Sequence, residues 1–180
     1  PYDFALGGKG LDPSLPGGVS GTLLQAGQCF MVDMGGNFYG YMGDMSRVFS
    51  IGRLPEQAYT AHQTCIEIQE EIAAMAKPGT VCEDMYNKAI EIVTKAGFAD
   101  YFMGVDQKAK FIGHGIGLEI NEMPVLAPRM KQELEPGMVF ALEPKIVLPG
   151  IGPVGIENSW AVTTDGLEKL TLCKEEIIEL

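Results

Sequence analysis

The chain reads as an α+β protein with an antiparallel sheet. Three observations carry that reading. Aromatic and β-branched strand-like segments stand at both ends of the chain, two stretches of helical periodicity lie between them, and short turn signals such as TDG at 164–166 join neighbouring strands. A sequence that groups its strands and helices in this way does not read as a repeated βαβ unit.

The elements follow in order. Residues 1–28 read as loop, rich in Gly and Pro ("GGKGLDPSLPGGVSG"). CFMVDM from Cys29 is strand-like, GGN at 35–37 is a turn signal, and FYGYMGDMSRVFSI makes a long second arm of a hairpin. Pro55 suits the start of a helix, behind which Cys65, Ile68, Ile72 and Met75 repeat at helical spacing; KPG at 77–79 ends it. Thr80 to Glu83 reads as a capping box that opens a second helix with Met85, Ala89, Ile92, Val93 and Ala96 on one side, ended by Gly97. The remainder reads as strands and turns: FIGHGIG, PGMVFALEPKIVLPG and GIENSWAVTTDGLEKLT.

Composition narrows the function. The 180 residues suit one domain with an ordinary core, at 46% hydrophobic and 21% charged. A net charge of −11 without a Lys/Arg cluster excludes a phosphate-tracking, nucleic-acid-binding surface. No apolar run is long enough to span a bilayer. Cys29, Cys65, Cys82 and Cys173 form no CxxC pair and read as reduced thiols packed as small hydrophobes in a cytoplasmic protein.

Four carboxylates stand in apolar, strand-like surroundings: Asp33 in FMVDMG, Asp44 between Met42 and Met45, Glu143 in VFALEP and Glu157 in VGIENS. Asp is depleted in strands. Two Asp residues on paired strands repel by about 4 kcal/mol at 4 Å with an effective dielectric near 20, so they call for a cation between them or a shared proton. Taken singly, each is as readily an exposed edge residue or a partner of Arg47 or Lys145. Taken together with His114, they form an oxygen-rich donor set with one imidazole, which suits Mn²⁺, Co²⁺, Fe²⁺ or Zn²⁺, and four carboxylates carry charge enough for two ions. His62, on the first helix, reads instead as an ordinary satisfied histidine. His114 differs because Gly113, Gly115 and Gly117 let another group approach the backbone closely, which suits a ligand or substrate lying against the chain.

These segments resemble those of the pita-bread metallopeptidases: methionine aminopeptidase, aminopeptidase P and prolidase. VDMGGNFYGYMGDMSR resembles their D-x-G…Y…D…R hairpin, GHGIGLEINEMP their GHGIG-L-x-x-H-E-x-P segment, and PGMVFALEP and GIENSWAVTTDGLEKLT their two glutamate-bearing segments. The resemblance spans about residues 25–172. The Tyr-rich hairpin and the TDG ending are most similar to the Xaa-Pro group. The implied fold is a pita-bread domain, a curved antiparallel sheet with flanking helices. Residues 1–180 would be a partial catalytic domain that lacks the first-half helices and an N-terminal domain.

The resemblance also implies roles. Asp33 would hold one metal, His114 and Glu143 the other, and Asp44 and Glu157 both. A water acidified by two divalent cations would be the nucleophile, with Glu143 moving its proton and His114 beside it. Tyr41 and Asn121 would face the substrate. The expected activity is a dinuclear exopeptidase of Xaa-Pro type on peptide substrates, with a homodimer compatible with the family. The alternative is a non-peptidase hydrolase or lyase of the same fold acting on a small amide or metabolite. Two departures favour that alternative. Asn121 stands where the family has a histidine, and no histidine stands near Leu15-Pro16-Gly17-Gly18, where the family has another. Asn donates a hydrogen bond but cannot shuttle a proton.

Overall fold

Strand β1 (Cys29–Phe38) and strand β2 (Tyr41–Ser50) form a long antiparallel hairpin in unbroken register from Cys29↔Ser50 to Phe38↔Tyr41. The computed structural model describes residues 23–106 and 108–180. The hairpin turns at Tyr39-Gly40, not at the expected GGN: Gly35 and Gly36 lie within β1, while Tyr39 and Gly40 both take positive φ (51° and 88°). That pairing of dihedrals is a two-residue turn whose twist matches the strands it joins. Asn37 Oδ1 accepts a hydrogen bond from the Gly40 amide at 3.2 Å and helps to close it.

Helix α1 (Glu56–Met75) follows Pro55 and buries Cys65, Ile68 and Ile72, as the periodicity predicts. Helix α2 (Cys82–Lys95) packs against it and buries Met85, Ala89, Ile92 and Val93; Ala96 is exposed, just past the helix end. Gly97, at φ 82°, terminates that element as expected. The capping box does not form. Val81 is the N-cap, and the amides of Cys82 and Glu83 donate instead to the carbonyls of Gln132 and Met130. A neighbouring loop satisfies the orphan amides of the first turn, which frees Thr80 to accept from the Lys77 amide and Glu83 to pair with Lys131.

The remaining strands are short: β3 (Gly113–Gly115), β4 (Glu122–Val125), β5 (Val139–Leu142), β6 (Lys145–Leu148), β7 (Gly152–Gly155), β8 (Asn158–Val162), β9 (Leu167–Lys169) and β10 (Ile178–Glu179). An antiparallel sheet runs in the order β4-β3-β5-β8-β9, β6 and β7 form a separate hairpin, and β10 adds in parallel to the edge of β2. The PGMVFALEPKIVLPG arm therefore divides at Glu143-Pro144, with β5 in one sheet and β6 in another. A single bridge, Ser46↔Glu157, links the long hairpin to the five-stranded sheet. α1 packs on the β6–β7 side, and the core lies between the helices and the strands.

Among the described cysteines no disulfide forms; Cys29, Cys65 and Cys82 are buried in the core and Cys173 is exposed. No described helix is long and apolar enough to cross a membrane.

Polar groups inside this core hold the strands together. Gln69, on the buried face of α1, donates to the carbonyls of Leu142 (2.6 Å) and Ile156 (3.1 Å), and its Oε1 accepts from Asn158 Nδ2 (2.7 Å). Those two carbonyls immediately precede Glu143 and Glu157. Replacing Gln69 by Leu removes the partner of the buried Ile156 carbonyl and one of the bonds to Leu142, so a loss of about 1–3 kcal/mol is expected. In a chain of this size each kcal/mol lowers Tm by about 2–4 °C. Thermal melts of the variant test this, and an unchanged Tm would show that the two strands hold without the clamp.

Candidate metal centre

The five predicted ligands come together. Asp33 and Asp44 project from the same face of the hairpin, since Asp33 pairs with Ser46 and Gly35 with Asp44. Glu143 and Glu157 are not inside strands, as the apolar runs suggest; Glu143 follows β5, and Glu157 sits at the isolated bridge before β8. Pro144 explains the first exception, because it has no amide for a ladder. His114 is the middle residue of β3, between β4 and β5.

His114 Nε2 lies 3.7 Å from Asp44 Oδ2 and 3.6 Å from Glu143 Oε1. These separations are too long for hydrogen bonds. They are short enough for donors that share an ion at about 2.0–2.2 Å. Ligand atoms of Asp44, His114 and Glu157 all lie within 4.8 Å of one another. The His114 Nδ1 is 3.1 Å from the Gly115 carbonyl, and a proton held there leaves the Nε2 lone pair for a cation.

The glycines around His114 serve the sheet. A Cβ on Gly113 would stand 2.3 Å from the Ala141 carbonyl oxygen, and one on Gly115 would stand 2.2 Å from that of Met123. The close approach expected for a ligand is thus made by the adjoining strands, which fix the imidazole from both sides. At Gly117 the three nearest atoms all belong to one side chain, Glu122. His62 is buried and only half satisfied, with Nε2 2.7 Å from the Glu175 carbonyl and Nδ1 buried without a hydrogen-bond partner among the described residues.

The two residues expected to face the substrate are both exposed. Tyr41 is exposed at the tip of the hairpin, and Asn121 is exposed in the segment before β4. The Leu15–Gly18 region lies outside the described residues. Asp33 differs from the expectation of a buried strand position: its side chain is 56% exposed. A cleft of about 420 Å³ reaches Asp44, lined mostly by apolar residues such as Met34, Met42, Met45, Ile116 and Leu170, with Ser159 and Thr171 as its other polar side chains.

Three partners escape the ligand pattern. Lys145 places Nζ 2.6 Å from Glu143 Oε2, 3.3 Å from Glu157 Oε2 and 3.4 Å from Asp33 Oδ2. Its signal in the sequence is its position two residues after Glu143. Ser46 Oγ donates to Glu157 Oε2 at 2.5 Å. Arg47 is buried and donates to the carbonyls of Ser46, Glu157, Cys173 and Lys174 and to Asn158 Oδ1, so it holds backbone and not a carboxylate.

Electrostatics follow from crowding. Burial, then the charges of Glu157, Asp33 and Glu143, push the Asp44 carboxyl up to about 8, with Lys145 opposing. Burial also raises Glu157, and Lys145 offsets part of that. For Lys145 burial alone would favour the neutral amine, but the charges of Glu143, Glu157 and Asp33 outweigh it and hold the ammonium form above the ordinary lysine range.

The fold brings carboxylates and one imidazole together as a candidate metal-binding group on an α+β scaffold. The chain belongs to metallopeptidase family M24, whose model matches residues 5–164. It is 31% identical over 166 residues to the Xaa-Pro dipeptidase of Pyrococcus furiosus, covering 92% of this chain and 46% of that protein. Its structure is similar to the dipeptidase of Pyrococcus horikoshii (TM-score 0.81, 30% identity, 94% of this chain and 45% of that one). It is also similar to the Xaa-Pro dipeptidase of Bacillus anthracis (TM-score 0.81, 33% identity, 91% and 44%). These neighbours share the pita-bread fold, as expected. The chain spans about half the length of the curated relatives it matches.

The raised carboxyl of Asp44 gives a stability prediction for the metal-free protein. Its ordinary value is 3.8. Below that pH the group is neutral folded and unfolded alike and costs nothing. Between 3.8 and about 8 the unfolded chain ionises first, so stability falls as pH rises, and above about 8 the loss is complete. Asp44→Asn is therefore expected to melt several degrees above wild type at pH 8 in EDTA, and the gap should close as pH falls toward 4. Metal addition should reverse the order, since only wild type retains the ligand. Equal melting curves in EDTA at pH 8 would contradict the crowding.

Proposed function

We propose that this chain carries the catalytic site of a metal-dependent exopeptidase that cleaves Xaa-Pro bonds. The convergence of Asp44, His114 and Glu157 donors within 4.8 Å, with Glu143 beside them, is the observation that carries this reading. Relatives and structural neighbours named as Xaa-Pro dipeptidases support the substrate class.

The donor chemistry fits a divalent ion: oxygen-rich, with one imidazole, as Mn²⁺, Co²⁺, Fe²⁺ and Zn²⁺ accept. Such an ion, when bound, supplies Lewis acidity to a carbonyl and makes a water more acidic. The residues do the rest. Asp44, Glu157 and His114 form the cradle. Glu143, whose Oε1 points toward His114 Nε2 while Oε2 is held by Lys145, is the base that takes a proton from the attacking water and delivers it to the departing proline nitrogen. Water thus adds to the carbonyl carbon, the C–N bond breaks, and the amine leaves protonated. Tyr41 and Asn121 would contact the peptide from the rim, and the apolar cleft beside Asp44 would take a side chain of the substrate.

The test uses the protein carrying this chain, stripped of metal, reloaded with Mn²⁺, Co²⁺ or Zn²⁺ and assayed on Xaa-Pro dipeptides and tripeptides. Metal-dependent release of the N-terminal residue is expected. Glu143→Gln should lower kcat by about 10²–10⁴-fold, the usual worth of general-base catalysis. Asp44→Ala should abolish both turnover and metal binding. Tight metal binding without turnover of any peptide would sink the peptidase reading. It would favour a hydrolase or lyase acting on a small amide, for which Asn121 in place of a histidine is the motivating feature.

A further inference from the structure

The carboxylate cluster divides into two halves. On one side Asp44 and Glu157 face His114, with no Lys or Arg nitrogen within 4.0 Å of Asp44 among the described residues. On the other, Asp33, Glu143 and Glu157 converge on one atom, Lys145 Nζ, at 3.4, 2.6 and 3.3 Å. These carboxylates come from separate segments of the chain, and a point shared by three such groups is where a cation belongs. Here the chain supplies that cation itself.

Lys145 has little freedom to leave. Only 5% of its side chain is exposed. It opens β6 in register with Gly155, where an added Cβ would stand 2.8 Å from Lys145 Cα, so the two strands are already in close contact. An ion held by Asp33 and shared with Glu157 would have to sit against the ammonium and compete for the same oxygens. Like charges at that range repel. The first half of the cluster fits a divalent ion; the second does not.

We propose that Lys145 replaces one of the two metals that the family resemblance implies, so that the chain binds a single divalent ion on Asp44, His114 and Glu157. Asp33 is then a partner of Lys145 and not a metal ligand. The inference rests on the metal-dependent reading above, and it narrows that reading to a mononuclear site with a fixed ammonium beside the ion.

Metal content decides it. The protein carrying this chain is dialysed to equilibrium against Mn²⁺ and against Zn²⁺, and bound metal is measured by mass spectrometry. One ion per chain is expected, and the Mn²⁺ form should give the electron paramagnetic resonance spectrum of an isolated ion. Asp33→Ala, an exposed substitution that should not disturb folding, is expected to retain that ion with affinity changed by less than about tenfold. Lys145→Ala is expected to gain a second ion, and Lys145→Arg to stay at one. Two ions on the wild-type chain, a spin-coupled spectrum, loss of an ion in Asp33→Ala, or a folded Lys145→Ala that still binds one would each overturn the proposal. If Lys145→Ala does not fold, the wild-type count and Asp33→Ala decide. Absence of any bound ion would overturn the metal-dependent reading itself, a result distinct from finding two.

Discussion

Asp33, Asp44, Glu143 and Glu157 reach one region of the molecule from separate segments, and their mutual repulsion is what the surrounding structure offsets. Each pair at about 4 Å costs on the order of 4 kcal/mol at an effective dielectric near 20. That is a large fraction of the 5–15 kcal/mol by which a typical domain is stable. The offsets are specific. Lys145 meets three of the four groups, Ser46 donates to Glu157, and Asp44, without a cation of its own among the described residues, is left with its carboxyl pushed well above its ordinary range. Asp33 avoids the problem in another way, by remaining half in solvent.

A second layer keeps these groups in place without touching their charges. Arg47 donates to carbonyls of β2, of Glu157 just before β8 and of the Cys173–Lys174 segment. Gln69 bonds the carbonyls just before both glutamates. The tight glycines of β3 let the neighbouring strands close on His114. Backbone positions are thus fixed by neutral hydrogen bonds and steric fit, and the charged ends project from a frame that does not depend on them.

Much of this was legible in the chain. The helical stripe of Cys65, Ile68 and Ile72 needed only periodicity, and the donor set needed only the oddity of carboxylates in apolar runs. What escaped has physical causes. GGN misled because glycine tolerates extended backbone as readily as a turn, while the true turn uses Tyr39, a residue that rarely takes positive φ. The capping box failed because a loop remote in sequence supplied the carbonyls. Gln69 is hidden inside an apolar stripe, where its hydrogen bonds to remote strands leave no local mark. Lys145 stands beside Glu143 in plain view as a candidate partner, but nothing short of three-dimensional convergence brings Glu157 and Asp33 to the same nitrogen.

The bridge between Ser46 and Glu157 joins residues 111 apart in the chain. The hairpin that bears Asp33 and Asp44 is a local object that closes a two-residue turn, whereas His114 lies in, and the two glutamates adjoin, a sheet assembled from later segments. Contacts over such separations carry a larger loop-closure entropy cost than local ones. The donor cluster therefore exists only where both parts have come together, and is absent from any species in which only the hairpin and helices have formed. A cation that recognises the complete cluster binds the native state and no earlier one, and its concentration sets how far the folding equilibrium is drawn toward completion.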